Sequence, residues 1–129
     1  MNSELTERGM LLFAEMEGPE RAAAFREAMD SNNFGSGMIN LAVDFIFGSL
    51  WTREGLDRKQ RSLMTIGIMI GLRQPDELKN HIRIGLVNGL SIKEIEEAII
   101  HASAYAGFPA AWTARKMALE VIEEMNIKL

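Results

Sequence analysis

Apolar residues return every three or four positions along almost the whole chain, and no run of alternating β-branched residues interrupts them. The pattern predicts helices throughout. Thr6 to Met16 forms a first helix, broken at Gly18 and Pro19, and Pro19 opens a second that runs through Met29. A polar stretch from Asp30 to Gly37 leads into a third helix, which ends near Leu50 before a turn from Trp51 to Gly55. Asp57 is a natural N-cap for a helix from Arg58 to Leu72. Pro75 starts the next, which stops at Asn88 and Gly89. Ser91 and Glu94 make a capping box for a helix reaching Gly107, and after Pro109 a last helix covers Ala110 to Met125. The expectation is an all-α, single-domain bundle of about six to seven helices spanning residues 1–129, without repeats or a linker.

One segment departs from ordinary amphipathicity. Between Arg61 and Leu72, apolar residues cover nearly the whole circumference of the helix. A helix apolar all round is expected to be buried on every side. In a chain of 129 residues this predicts a central helix, a subunit interface, or both, and hence a homo-oligomer.

Composition narrows the chemistry. The net charge of -4 disfavours a nucleic-acid partner, which needs a basic face. No apolar run reaches bilayer length, and Met1 to Glu7 lacks the basic and apolar regions of a signal peptide, so no membrane association and a cytoplasmic location are the default expectations. Cysteine is absent, which removes thiolate nucleophiles, thiol redox chemistry and sulfur-ligated zinc. The two histidines have no metal-binding spacing, so no metal site is expected.

Those two histidines each lie four residues from a polar partner. Glu77 precedes His81 by one helical turn, and His101 precedes Tyr105 by one turn. A carboxylate beside an imidazole suits acid–base catalysis, and it equally suits a surface pair of slight stabilising effect. His101 sits among alanines and isoleucines, on a face expected to be buried, where Glu97 and Tyr105 could satisfy it. Arg61 is suited to gripping a carboxylate, or to a structural ion pair with Asp57 or Asp44. Trp51 and Phe108 flank tight turns and serve either as pocket walls or as core anchors.

Taken in order, these residues resemble the carboxymuconolactone decarboxylase family, within the alkylhydroperoxidase D-like superfamily. The resemblance is carried by Trp51 to Ile66, Glu77 to His81, Asn88 to Ser91, Glu94 to Glu97 and His101 to Ala111, within a core match over residues 50–125. It implies an all-α fold, a homo-oligomer (trimer or hexamer), no cofactor, and decarboxylation of a small unsaturated lactone acid of aromatic catabolism. It also implies His81, Glu77 and Arg61 as catalytic residues, with His101, Tyr105, Trp51 and Phe108 about the substrate. The peroxidase branch carries Cys-x-x-Cys-x-x-x-His where this chain has Gln74, Glu77 and His81, so thiol peroxidase activity is not expected.

The N-terminal third departs from the decarboxylase pattern. Gly18 to Ala22 lacks the histidine of Gly-Asp-x-His-Val, and Asp44-Phe45 and Phe13-Ala14 replace basic residues. Fewer cations should weaken a hold on a dianionic substrate. A related lyase or isomerase acting on another small acid, and a non-catalytic small-molecule-binding oligomer, therefore stay open.

Overall fold

The computed structural model describes residues 3–129; Met1 and Asn2, where the sequence is read for a leader, lie outside the described residues. Seven helices and no strand occur among the described residues, as an all-α fold requires. The backbone falls into two compact units, which meet in sequence at Leu56 and Asp57.

The first unit holds α1 (Glu4–Glu17), α2 (Pro19–Asp30) and α3 (Ser36–Ala42), and α3 continues as a π-helix over Val43–Leu50. The Ser3 hydroxyl caps α1 by accepting from Thr6 N, and Gly18 at φ 93° allows the sharp passage into α2. Its core is aromatic: the Phe13 ring stacks on Phe25 at 4.4 Å and meets Phe47 edge-on at 5.0 Å. Phe13 therefore fills the core, which accounts for an apolar residue at that position.

The periodicity predicts an unbroken α-helix to Leu50; the structure winds its second half as π-helix instead. An apolar run satisfies either winding, so hydropathy cannot separate them. Close backbone approach accompanies the wider turn. A Cβ on Gly9 would overlap the Val43 carbonyl oxygen, and one on Gly48 would lie 2.8 Å from the Leu5 carbonyl oxygen. Thr6, buried in this crossing, donates to Asp44 Oδ1 at 2.6 Å, and Ser49 Oγ donates to the Asp44 carbonyl. Trp51 ends the π-helix as a core anchor, 7% exposed.

The second unit holds α4 (Arg58–Leu72), α5 (Pro75–Val87), α6 (Ile92–Ala106) and α7 (Phe108–Glu124). Asp57–Gln60 and Ser91–Glu94 form the capping boxes of α4 and α6. At the end of α5, Gly89 N donates to Leu86 O and Leu90 N to Gly85 O, with Gly89 at φ 103°. This double closure satisfies carbonyls that the helix end would leave open, and it requires the left-handed residue that glycine supplies. Leu90 is thereby turned inward, 4% exposed.

The core is built from Ile66 and Ile70 of α4, Leu78 and Ile82 of α5, Ile95 of α6, and the inner face of α7 at Ala110, Ala114, Ala118 and Val121. Burying each large aliphatic side chain contributes about 1.5–3 kcal/mol. Three alanines on one face let α7 lie close to its neighbours. Outside the core, Lys79 of α5 binds Glu124 at 2.6 Å and Glu120 at 3.3 Å on α7, and Arg83 reaches Glu124 at 3.5 Å.

The α4 helix is not wrapped on every side within the chain. Ser62, Ile66 and Ile70 face the core, while Leu63, Met64, Ile68 and Leu72 stay 41–62% exposed. Three helices of this length cover only part of a fourth, so one flank of the apolar circumference meets solvent in a single chain. No helix among the described residues is long and apolar enough to cross a membrane.

Candidate active site

The sequence candidates fall into separate places. Glu77 and His81 lie on α5, one turn apart. The His81 side chain is 14% exposed, and its Nε2 stands 3.7 Å from Glu77 Oε2. Glu77 is open to water, its side chain 63% exposed. The contact is longer than a hydrogen bond and is screened by solvent. His81 Nδ1 is sealed from solvent.

Arg61 is half-buried on the first turn and a half of α4, which packs along α5. The register between these helices is visible at Gly85, where an added Cβ would lie 3.7 Å from Ser62 Cβ and 3.2 Å from Ile66 Cδ1. Arg61 directly precedes Ser62, and His81 lies one turn, about 6 Å of rise, from Gly85. The two helices run antiparallel, so Arg61 lies level with Asn88, and His81 stands nearly two turns, roughly 10 Å of rise, further along the pair.

His101 and Tyr105 project from α6 into an open groove of about 700 Å³ against α4, floored by Gly67, Gly71, Ala98, Ala102 and Ala106. The rings sit 5.3 Å apart and tilted. This face is not buried as its apolar neighbours suggest: Tyr105 is 85% exposed and His101 is exposed with it. The alanines and isoleucines of α6 split between two flanks, and the histidine falls on the outer one. Glu97 lines the same groove. Phe108, 61% exposed, lines a different groove of about 490 Å³ between α6 and α7, together with Trp112 and Arg115. Neither groove is lined by Arg61, Glu77 or His81. Trp51 belongs to the first unit and to its core.

In the sequence Arg58 and Asn88 mark only helix ends and Ser62 has no role of its own, yet the three form the polar clasp of the α4–α5 pair. Asn88 Nδ2 donates to Ser62 Oγ at 2.9 Å, and Arg58 Nε donates to Asn88 Oδ1 at 3.0 Å. The Asn-Gly step at a helix end signals only a cap. Its side-chain partner 26 residues earlier has no sequence signature.

Among the described residues no three His, Asp or Glu side chains gather closely enough to hold a metal ion. The candidate site consists of protein groups on an all-α scaffold: a half-buried imidazole beside a carboxylate, on a helix packed against one that bears an arginine. The chain belongs to the carboxymuconolactone decarboxylase family, whose model matches residues 38–120. It is 39% identical over 102 residues to the 4-carboxymuconolactone decarboxylase of Acinetobacter baylyi, covering 79% of this chain and 76% of that protein. It is 41% identical over 85 residues to the nitrosuccinic acid decarboxylase npaB of Metarhizium robertsii, covering 66% of this chain and 59% of that one. A third relative is an uncharacterized 15.0 kDa protein of the Paracoccus denitrificans nqo9-nqo10 intergenic region, 32% identical over 93% of this chain and 97% of its own length.

Proposed function

We propose that this protein is a cofactor-independent carboxy-lyase acting on a small unsaturated lactone acid of the carboxymuconolactone type. The observation that carries the reading is the half-buried His81 beside Glu77, one helix away from Arg61. Support comes from the decarboxylase relative with 39% identity across most of both chains.

The chemistry requires little beyond these groups. In a γ-carboxylated unsaturated lactone the C–C bond to the carboxylate breaks and carbon dioxide leaves. The electron pair passes through the ring double bond to the lactone carbonyl oxygen. The substrate is its own electron sink, which is why no cofactor is invoked. Arg61 stabilises the oxygen as it gains charge, or holds the second carboxylate. His81, protonated and oriented by Glu77, then delivers a proton to the ring carbon and is reprotonated from solvent. The net change replaces a carboxylate with hydrogen.

His101, Tyr105 and Phe108 are assigned to substrate contact only once a second copy closes the open faces. The same proposal therefore includes a homo-oligomer, a trimer or hexamer, formed over the exposed α4 ridge of Leu63, Met64, Ile68 and Leu72. A water-filled site would resolvate the leaving carboxylate, so enclosure favours loss of neutral carbon dioxide.

A second reading keeps the reaction and changes the substrate. The relative named for nitrosuccinic acid acts on a compound without a lactone. There a nitro group beside the carboxylate would take up the electron pair. Carbon dioxide release assayed in parallel from carboxymuconolactone and nitrosuccinate decides between them. Release from the lactone alone supports the first reading, release from nitrosuccinate alone supports the second, and release from neither removes both.

A further inference from the structure

We propose that Asn88, acting through Ser62, is a positioning residue that fixes the offset along the helix pair between Arg61 of α4 and His81 of α5. The inference rests on the reading of His81 as the acid, and deepens it.

His81, Gly85 and Asn88 stand at intervals of four and three, so they share one face of α5. Two of the three are seated on the same residue of α4. Gly85 faces Ser62 at van der Waals distance, its missing side chain leaving space that Leu90 Cδ1 and Ile66 Cδ1 crowd, and Asn88 binds the Ser62 hydroxyl directly. Ser62 is 0% exposed, so its hydroxyl depends on a protein partner. The Asn88 amide has one usable orientation. Its oxygen must face the Arg58 donor, which directs the NH2 group at Ser62. The Asn88 backbone is fixed as well, by its bond to Ile84 O and by the glycine closure that follows. A rigid helix end, an oriented amide and a buried hydroxyl thus join at one point. Arg61 is the next residue along α4, and His81 lies less than two turns along α5. Loss of the clasp lets the two helices slide, which changes the separation of the cation and the imidazole.

The test uses the full chain with Asn88→Ala, Asn88→Asp and Ser62→Ala. Asp at this position can accept from both Arg58 and the Ser62 hydroxyl, so it restores the clasp. A displacement near 1 Å lowers turnover on the order of 10²-fold at its upper range. For Asn88→Ala and Ser62→Ala, kcat on carboxymuconolactone should fall at least about tenfold with KM little changed, and Asn88→Asp should recover most of it. With only two histidines, the nitrogen-15 spectrum of the imidazoles gives a second readout. Asn88→Ala should move the His81 signals, leave those of His101 in place, and be reversed by Asn88→Asp. Unmoved His81 signals, or a lowered melting temperature with unchanged kcat, overturn the proposal. If the natural chain releases no carbon dioxide, the functional reading fails and the His81 signals alone decide the register claim. If Asn88→Ala does not fold, Ser62→Ala breaks the same bond with the helix cap intact and carries the same expectations.

Discussion

Helices α5 and α6 both pack on α4, and each carries a histidine one turn from a polar partner, yet their surroundings differ. His81 is half-buried, on a face seated against α4 by Gly85 and Asn88. His101 stands in an open groove beside a tyrosine that is 85% exposed. Spacing brings partners onto one face, while packing decides whether that face is held and shielded from water. A proton donor needs a fixed direction and restricted solvent, and the shielding of His81 is what favours α5 in the proposed reading. The α6 pair is open to solvent and suits contact with a ligand or a second copy.

The comparison breaks most completely at the level of assembly. Ile68→Glu puts a charge on the exposed α4 ridge, where the single chain loses little: about 0.5 kcal/mol or less for a surface change away from special features. Sedimentation should nonetheless turn from an oligomer to a monomer, with decarboxylation lost alongside. A natural chain that sediments only as monomer refutes the interface. Next in size, Arg61→Ala should lower kcat/KM about 10²-fold or more through loss of a charge-assisted contact. Arg61→Lys should recover it only in part, since an ammonium does not reproduce the guanidinium fork. Equal activity of the two variants would remove Arg61 from the oxyanion.

Glu77→Gln should act more weakly, a roughly threefold to tenfold fall in kcat, because its carboxylate is solvated and 3.7 Å from the imidazole. A fall as large as that of His81→Ala would make Glu77 a direct participant. The smallest effect concerns the attachment of α5 to α7. The Lys79 ammonium, hydrogen-bonded to Glu124, holds that carboxyl below its usual range, and Glu124 in turn raises Lys79. A depressed carboxylate stabilises the fold above its unfolded pKa, and the contribution disappears as pH falls through the folded value. The raised lysine contributes below its own unfolded pKa and loses that only in strong alkali. Acid should therefore lower the melting temperature, less steeply in Glu124→Gln, and added salt should shrink the difference. Identical slopes for the two proteins would show the pair to be neutral.

Much of this contrast was readable from local pattern and some was not. The helix ends followed from Asp57, Pro75, Gly89 and Ser91, because caps act over three or four residues. The His81 and His101 pairs had the same spacing, and spacing could not rank them. Burial of α5 and exposure of α6 depend on how three helices share the surface of α4, which is a tertiary matter. The π-helix at Val43–Leu50 escaped for a related reason, since its apolar residues fit either winding. The clasp of Arg58, Ser62 and Asn88 joins residues 26 and 30 positions apart, beyond the reach of any local signal.

The central claim is that α5, not α6, delivers the proton. Carbon dioxide release from carboxymuconolactone, measured side by side for the natural chain, His81→Ala and His101→Ala, tests it most directly. Loss of a general acid lowers kcat about 10²- to 10⁴-fold, and this is the result expected of His81→Ala. His101→Ala should keep kcat within about tenfold and lose mainly in KM, as removal of a substrate contact does. Full turnover by His81→Ala, or a collapse confined to His101→Ala, would contradict the account.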